Sequence, residues 1–354
     1  MPIETIGNFS VRKIAIMDEY ENVDESLMPR LSDKDIDLIY QHMLLSRMLD
    51  DKLVKMQRQG RLGNLPTCTG QEAASLGVAF AIKKSDWLFP AYRENPALFF
   101  HGLPIKNILL YWMGHEAGNI VPENVNCYMM CLPIATHIPI SAGFALGNKI
   151  KNKDSIVVSF FGDGATSEGD FHESLNFAGV FKLPIIFVCQ NNQWAISTPI
   201  NKQTASQSIA QKAIAYGIEG MQVDGNDIFS VIYASKIAVE NARKFQPTLI
   251  ECITYRQGAH TTADDPLRYI SKEEHEIGKS KDPILRLKKY MQKKRIWNED
   301  YESNVVKECE DKIKQAVDDA EKHKENPSEI FTHVYSEIPR LLEEQMKKIH
   351  PRRK

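Results

Sequence analysis

The stretch that decides the fold runs from Phe160 to Trp194 and reads FFGDGATSEGDFHESLNFAGVFKLPIIFVCQNNQW. Two short apolar runs end abruptly in polar residues, Gly-Asp-Gly at 162–164 and Asn-Asn at 191–192. Short apolar runs on either side of a helical segment predict two parallel strands of a βαβ unit. Because the carboxyl ends of parallel strands share one edge of the sheet, we expect Asp163 and Asn192 to meet where ligands of open α/β sheets bind.

The side chains expected at this edge suit a metal bound to a diphosphate. Asp163 offers a carboxylate and Asn192 an amide oxygen, and Mg²⁺ prefers such oxygen donors while taking its other ligands from phosphates and water. Gly162 and Gly164 would let the backbone approach a phosphate, and a helix predicted from about residue 168 would add its N-terminal amides. Either motif alone is more typical of an ordinary turn, whereas the two together favour a metal–diphosphate site.

Strands and helices alternate through the centre of the chain, which predicts an α/β fold: a mostly parallel sheet with helices on both faces, plus helical N- and C-terminal extensions. Ser32 and Gly60 are the predicted start and stop of a long helix. A further helix is predicted over 205–216, and a long loop over 114–133. The expected organisation is an N-terminal arm (1–30), an α/β domain (31–280) and a helical C-terminal extension packed on the same domain (281–354).

Composition narrows the functional classes. The 44 Lys and Arg residues nearly balance the 46 Asp and Glu residues of the 354-residue chain, so no overall basic field indicates nucleic acid. The six cysteines include no CxxC pair, which argues against a zinc site. The N-terminus has no apolar signal core, and the apolar runs are too short to cross a bilayer. We therefore expect a cytoplasmic protein that binds neither nucleic acid nor membrane.

Gly-Asp-Gly, the 26 residues 165–190 and then Asn-Asn resemble the thiamine diphosphate motif. The wider sequence resembles the α subunit of the two-subunit decarboxylases of 2-oxoacid dehydrogenase complexes, of the pyruvate and branched-chain types. The likeness spans about residues 20–340 and includes the blocks TGQEA, FPAYRE, ATHIPISAG and YRQGAHTTADDP. It implies the thiamine diphosphate-binding fold, with thiamine diphosphate and Mg²⁺ as cofactors.

The resemblance also implies roles for individual residues. Asp163, Asn192 and the main-chain carbonyl of Trp194 would hold the metal. Gly164 and Ala165 would contact the diphosphate through backbone amides.

Further residues implied by the resemblance surround the rest of the cofactor. Tyr92 and Arg93 would hold the diphosphate, although without the motif Arg93 would be equally typical of a surface ion pair. Leu132 would offer its backbone, and Ile134 would be the apolar wedge under the cofactor, a residue otherwise assigned to the core. His260 would reach the diphosphate end and assist acyl transfer.

The substrate wall is placed by the same resemblance near Pro66 and Tyr92. The implied activity is decarboxylation of a 2-oxoacid, with the acyl group passing to the lipoyl group of a dihydrolipoyl acyltransferase. A second cofactor half is not evident in this sequence. A β subunit is therefore implied, which would supply the acid at the aminopyrimidine in an α2β2 assembly.

The substrate and two other functional classes stay open. Blocks such as RQGRLGNLPTCTGQEA favour pyruvate, while SEGDFHE and LPIIFVCQNN fit branched-chain relatives equally well. A non-catalytic scaffold or regulatory subunit with the same fold is the alternative from a different class. A Mg²⁺-dependent phosphohydrolase or kinase is disfavoured, because the sequence has no Walker lysine motif.

Overall fold

The computed structural model describes residues 3–324, 326–332 and 334–349. Its strands, in chain order, are β1 (Arg12–Ile14), β2 (Trp87–Phe89), β3 (Val157–Gly162), β4 (Ile185–Asn191), β5 (Trp194–Ala195), β6 (Thr198–Pro199), β7 (Glu219–Asp224) and β8 (Thr248–Ile253). Six of them form one sheet in the order β1-β7-β8-β4-β3-β2. Every neighbouring pair in that sheet is parallel, while β5 and β6 form a small antiparallel hairpin.

The helices before the central βαβ unit are α1 (Asp33–Arg58), α2 (Glu72–Ala81), α3 (Asn95–His101), α4 (Ile105–Met113) and α5 (His137–Ile150). Those within the rest of the sheet domain are α6 (Gly169–Phe181), α7 (Ile200–Gln203), α8 (Lys212–Ala215) and α9 (Ile228–Arg243). The chain continues through α10 (Lys272–Ser280), α11 (Pro283–Lys293), α12 (Glu299–Glu321), α13 (Glu329–Thr332) and α14 (Arg340–Met346).

Helices cover both faces of the sheet because its strands are apolar on both sides. In β4, Ile186 and Val188 join a core that includes α1, α2 and α9. Ile185, Phe187 and Cys189 of the same strand join a second core with α5 and α6. Successive side chains of a strand point to opposite faces, so each strand contributes to both cores. The predicted α/β fold with a parallel sheet is confirmed.

The first long helix begins and ends where its sequence signals predicted. Ser32 accepts a hydrogen bond from the Asp35 amide, and the Asp35 carboxylate accepts one from the Ser32 amide. This reciprocal pair is a capping box, which satisfies two amides at the helix start. Beyond the C-cap Gln59, Gly60 has a φ of 75°, a backbone conformation that ends helices and favours glycine.

The prediction of a helix over 205–216 is wrong for most of that range, since only α8 (Lys212–Ala215) forms there. The amide of Ala210 instead donates to the buried carboxylate of Glu251 at 3.0 Å. A Cβ at Gly220 would lie 2.2 Å from the carbonyl oxygen of Ala210, so the segment is pressed against β7. Tertiary contacts of this kind override local helix propensity.

The structure also contains α5, a helix that follows the predicted loop over 114–133. That loop holds only a short 3-10 turn, Glu116–Asn119, and otherwise lacks helices and strands. The third residue of α5 is Pro139, which the first turn of a helix tolerates because its amide needs no partner there. The segment expected beneath the cofactor therefore leads into a helix.

β1 and the helices α11 and α12 pack onto the sheet domain. β1 pairs with β7 at one sheet edge, and α11 and α12 contact α1, α2 and α4. Val305, Cys309, Ile313, Val317 and Ala320 form the buried stripe of α12. The division of the chain at residues 30 and 280 stays a prediction. Within the described residues, no helix combines the length and apolar character needed to cross a membrane.

Candidate functional site

A cavity of about 260 Å³ lies at the carboxyl ends of β3 and β4, the edge where the sequence placed the site. Nine of the predicted site residues line it: Tyr92, Arg93, Ile134, Asp163, Gly164, Ala165, Asn192, Trp194 and His260. Leu132 and Pro66 are not among the lining residues. Segments far apart in sequence are thus brought to one concave site.

Asp163 lies at the start of a 3-10 turn (Asp163–Ser167) that directly follows β3. Its side chain is buried, and burial raises the pKa of the carboxyl group above its ordinary value. Oδ2 accepts a hydrogen bond from Gln203 at 2.8 Å, whereas Oδ1 is buried without a partner in the described chain. A buried carboxylate oxygen with no donor is costly unless it is completed by a ligand.

Asn192 reaches the same place from β4. Both Asp163 and Asn192 line the cavity, so the two polar turns meet at this edge of the sheet. The Asn192 Oδ1 accepts from the Trp194 amide at 3.1 Å, and its Nδ2 donates to Gln71 at 3.1 Å. An amide oxygen has two lone pairs, so one remains free. Between Asn192 and Trp194 the chain turns at Gln193, which has a φ of 72°.

Packing against β5 of the same chain requires a glycine at position 164, whether or not a ligand approaches there. A Cβ at this position would lie 2.9 Å from the Cβ of Ala195 in β5, which is shorter than real contacts between such atoms. A Cβ at Gly162 would meet nothing within 4 Å. The close approach at Gly164 is to β5, and the predicted approach of Gly162 and Gly164 to a phosphate stays a prediction.

The helix predicted from residue 168 begins at Gly169 as α6. The 3-10 turn lies between it and β3, and this turn carries Asp163, Gly164 and Ala165. The backbone at the cavity wall is therefore that of the 3-10 turn.

Two buried arginines converge on His260. Arg93 Nη2 lies 3.0 Å from the imidazole Nδ1 and donates to the His260 carbonyl oxygen at 2.7 Å, while Nη1 donates to the Thr67 carbonyl at 2.6 Å. Arg256 Nη1 lies 3.3 Å from the same Nδ1. Neither arginine forms an ion pair with a carboxylate in the part of the chain that the structure describes. Arg93 lines the cavity and Arg256 does not, so the charge of Arg93 is the one that favours an anion at this wall.

These contacts fix the state of the imidazole. Arginine has only donors, so Nδ1 must accept, and the proton of neutral His260 lies on Nε2. Burial, followed by the charges of Arg93 and Arg256, lowers the pKa of His260 to about 4. His260 is therefore neutral at physiological pH. The Tyr92 ring lies edge-on to it, with ring centroids 6.5 Å apart.

The remaining predicted residues surround these groups. Ala165 is buried, while Ile134 at the wall and Leu132 beside it are 46% and 43% exposed. The Trp194 ring packs near Tyr269, and its Nε1 donates to Glu274 at 3.1 Å. Pro66 is buried one residue before Thr67, the acceptor of an Arg93 hydrogen bond. Pro66 therefore lies behind the cavity wall.

Sequence reasoning missed Arg256, Gln203, Glu94 and Gln190. Glu94 and Gln190 line the cavity and are joined by a side-chain hydrogen bond, and burial raises the pKa of Glu94 to about 7. Arg256 precedes His260 by four residues in YRQGAH, so a basic residue near a proposed phosphate ligand was an available signal. Gln203 carried no signal, because a glutamine in a polar segment is ordinary.

The donor set fits a magnesium ion better than a transition metal. The described residues contain no group of three or more His, Cys, Asp or Glu side chains placed to hold a metal. The cavity instead offers the free Oδ1 of Asp163 and the amide oxygen of Asn192. Mg²⁺ is commonly held by one or two such groups together with substrate phosphates, so the residues fit a magnesium–diphosphate group.

Known proteins resemble this chain over most of its length. Residues 40–329 match the family described as "Dehydrogenase E1 component". Relatives named pyruvate dehydrogenase E1 component subunit alpha come from Bacillus cereus, at 43% identity over 92% of this chain and 88% of the relative, and from Bacillus subtilis, at 41% identity over the same shares. A Staphylococcus epidermidis relative with that name is 41% identical over 97% of this chain and 93% of its own. The chain therefore belongs to the Dehydrogenase E1 component family.

Proposed function

We propose that this chain is the α subunit of a thiamine diphosphate- and Mg²⁺-dependent 2-oxoacid dehydrogenase that acts on pyruvate. The observation that carries the proposal is the cavity at the ends of β3 and β4, which is lined by Asp163, with a buried carboxylate oxygen that has no partner, and by Arg93, which forms no ion pair with a carboxylate in the described chain. The names of the relatives support pyruvate as the substrate.

Different residues of this chain would bind the metal and the diphosphate of the cofactor. Asp163, Asn192 and the carbonyl of Trp194 are the proposed metal ligands, and Gly164 and Ala165 present backbone to the diphosphate. Arg93, with Tyr92 beside it, supplies positive charge at the cavity wall. Thiamine diphosphate supplies the electron sink for decarboxylation, and the protein supplies binding and orientation.

His260 is the proposed catalytic residue at the cavity wall. Because Nδ1 faces the two guanidinium groups, the Nε2–H is the group left to donate a hydrogen bond to substrate or cofactor. Ile134, at the wall and half exposed, is the proposed apolar support of the cofactor. Pro66 and Tyr92 are the proposed substrate wall, and Leu132 contributes backbone next to it.

A β subunit is the proposed partner, in an α2β2 assembly that delivers acyl groups to a dihydrolipoyl acyltransferase. Ile196 at the cavity wall is 55% exposed, and Leu132 and Ile134 add apolar surface to the same region. Exposed apolar surface around a cavity is typical of a site that another protein completes. A partner placed here would exclude water, and it is the proposed source of the acid at the aminopyrimidine.

The experiment is to co-express the chain with a candidate β subunit, isolate the heterotetramer, and add thiamine diphosphate and Mg²⁺. CO₂ release and acylation of a lipoylated acyltransferase domain are measured with pyruvate and with 3-methyl-2-oxobutanoate. Activity with pyruvate above that with the branched acid is the expected result. Preference for the branched acid contradicts the substrate assignment. An assembled tetramer that decarboxylates neither acid contradicts the enzyme and favours a scaffold.

A further inference from the structure

Gln203, the last residue of α7, contacts the proposed metal site from behind the cavity wall. Its Nε2 donates to Asp163 Oδ2 at 2.8 Å and to the carbonyl oxygen of Thr198 at 3.0 Å. A side-chain amide nitrogen carries two hydrogens, and both are used. Rotating the amide by 180° would place Oε1 against two oxygen acceptors, so the orientation of Gln203 is fixed by its neighbours.

The segment that carries Gln203 is also bound to the second polar turn. Trp194 pairs with Pro199 in the β5–β6 hairpin, and the Ile200 amide donates to the Gln193 carbonyl oxygen at 2.9 Å. Residues 194–203 therefore run from the turn containing Asn192 back to the carboxylate of Asp163. Gln203 is the side chain that closes this connection.

The hydrogen bond decides which oxygen of Asp163 is available. Because Oδ2 is occupied by Gln203, the buried Oδ1 is the oxygen left for an ion. Mg²⁺ demands near-ideal octahedral geometry, whereas Ca²⁺ accepts flexible coordination. Groups that hydrogen-bond to metal ligands typically change metal affinity by about 10–100-fold.

We propose that Gln203 is a positioning residue for the metal site, which holds the Asp163 carboxylate with Oδ1 toward the ion and joins the two metal-binding turns. This inference rests on the proposed function, since it assumes that Asp163 binds Mg²⁺ with thiamine diphosphate. Gln203 itself lies outside the cavity lining. Its role is therefore exerted through Asp163.

The test replaces Gln203 by methionine, which has a similar length and no donor, in the complex with the β subunit. The matched control is Gln207→Met, because Gln207 is exposed and its side chain has no hydrogen bond to either metal-binding turn in the described structure. Calorimetric titrations of Mg²⁺ and of Ca²⁺ are performed at a fixed high concentration of thiamine diphosphate. The Tm of each complex without metal and cofactor is measured in parallel.

The expected result is a loss of Mg²⁺ affinity of about 10–100-fold in Gln203→Met, with a smaller loss for Ca²⁺. The metal-free Tm should lie somewhat below that of the control, because Asp163 Oδ2 loses its hydrogen-bond donor. Unchanged Mg²⁺ affinity overturns the inference. Equal losses for both ions, with a lowered metal-free Tm, show a general structural role and overturn it as well. If the unmodified complex binds no Mg²⁺ with thiamine diphosphate, the proposed function fails first and the inference fails with it.

Discussion

Arg93 contacts His260 at two atoms, since its Nη2 lies 3.0 Å from the imidazole Nδ1 and 2.7 Å from the carbonyl oxygen of the same residue. The contact places a permanent cation against a titratable nitrogen that is also approached by Arg256. Protonating Nδ1 would put three positive groups together in a buried site. Burial and the two arginines thus keep His260 neutral at physiological pH.

The first prediction is that His260 titrates with a pKa of about 4 in the cofactor-free protein. NMR of histidine-labelled protein measures it directly, with His260→Gln to assign the signal. Replacing Arg93 by methionine removes one nearby cation, so the pKa should rise. A pKa at or above the ordinary value of about 6.5 in the unmodified protein would contradict the arrangement.

The same shift has a consequence for stability. The folded pKa of His260 lies below its unfolded value, so the unfolded chain binds more protons between about pH 4 and 6.5. The contribution of neutral His260 is complete above this window and is lost as the pH falls through it. His260→Gln should therefore show a shallower loss of Tm between pH 6.5 and 4 than the unmodified chain.

The second prediction compares two glycines of one motif. Gly164→Ala places a Cβ 2.9 Å from that of Ala195 and is expected to destabilise the fold by roughly 1–3 kcal/mol, the cost of overpacking. Gly162→Ala enters open space and should be tolerated, since its φ of −87° suits alanine. Denaturant unfolding of both variants measures the difference. Equal stabilities of the two variants would show that β5 moves away at little cost and that the contact with Ala195 does not require glycine at position 164.

The third prediction concerns Arg256, which donates to the Ile196 carbonyl and the Tyr269 hydroxyl through Nη2 while Nη1 faces His260. Arg256→Met should weaken binding of inorganic pyrophosphate and of thiamine diphosphate by tenfold or more, on the order of 1.4 kcal/mol. Arg268→Met, at an exposed arginine of the same loop, is the matched control. A loss of affinity as large in the control would indicate long-range attraction and not a contact at the cavity.

The fourth prediction concerns Asp50, a buried residue of α1 outside the cavity. Its Oδ2 accepts from the Cys68 amide at 2.7 Å and from the Thr69 hydroxyl at 2.9 Å, while Oδ1 has no partner in the described chain. Burial, followed by the charge of Glu72, raises the pKa of Asp50 to about 7. The carboxylate therefore holds the segment after Pro66 at an electrostatic cost.

Between the ordinary Asp50 pKa of 3.8 and about 7, the folded state binds the proton that the unfolded state has lost, so stability falls as the pH rises through this window. Asp50→Asn keeps an oxygen acceptor without the charge. It should be more stable than the unmodified chain at pH 8, with the advantage shrinking toward pH 4. An advantage that is independent of pH would contradict a titrating Asp50.

Much of the fold was predictable because its signals are local. Apolar strands, the Ser32 capping box and the glycine after α1 each act within a few residues. The wrong helix prediction over 205–216 has the opposite origin. The Ala210 amide donates a hydrogen bond to Glu251, which lies in a strand more than forty positions away. No local pattern reports such a contact.

The candidate site was predictable as far as its motifs reached. Asp163 follows the last residue of β3, and Asn192 follows the last residue of β4. Because the two strands are neighbours, with Gly162 opposite Gln190, strand order alone places Asp163 and Asn192 together. Arg256 lies in a loop and Gln203 at the end of the short helix α7, and the position of each depends on how the chain runs through the whole domain. Leu132 and Pro66 lie just outside the cavity lining, a distinction that requires side-chain positions.

Calorimetric titration of thiamine diphosphate into the complex of this chain with a β subunit, with and without Mg²⁺, tests the metal–diphosphate site itself. We expect saturable binding that requires Mg²⁺ and is lost in Asp163→Ala, while the metal-free Tm stays near that of the unmodified complex. Binding that is equally tight without Mg²⁺, or that survives Asp163→Ala unchanged, would contradict a metal–diphosphate site at the ends of β3 and β4.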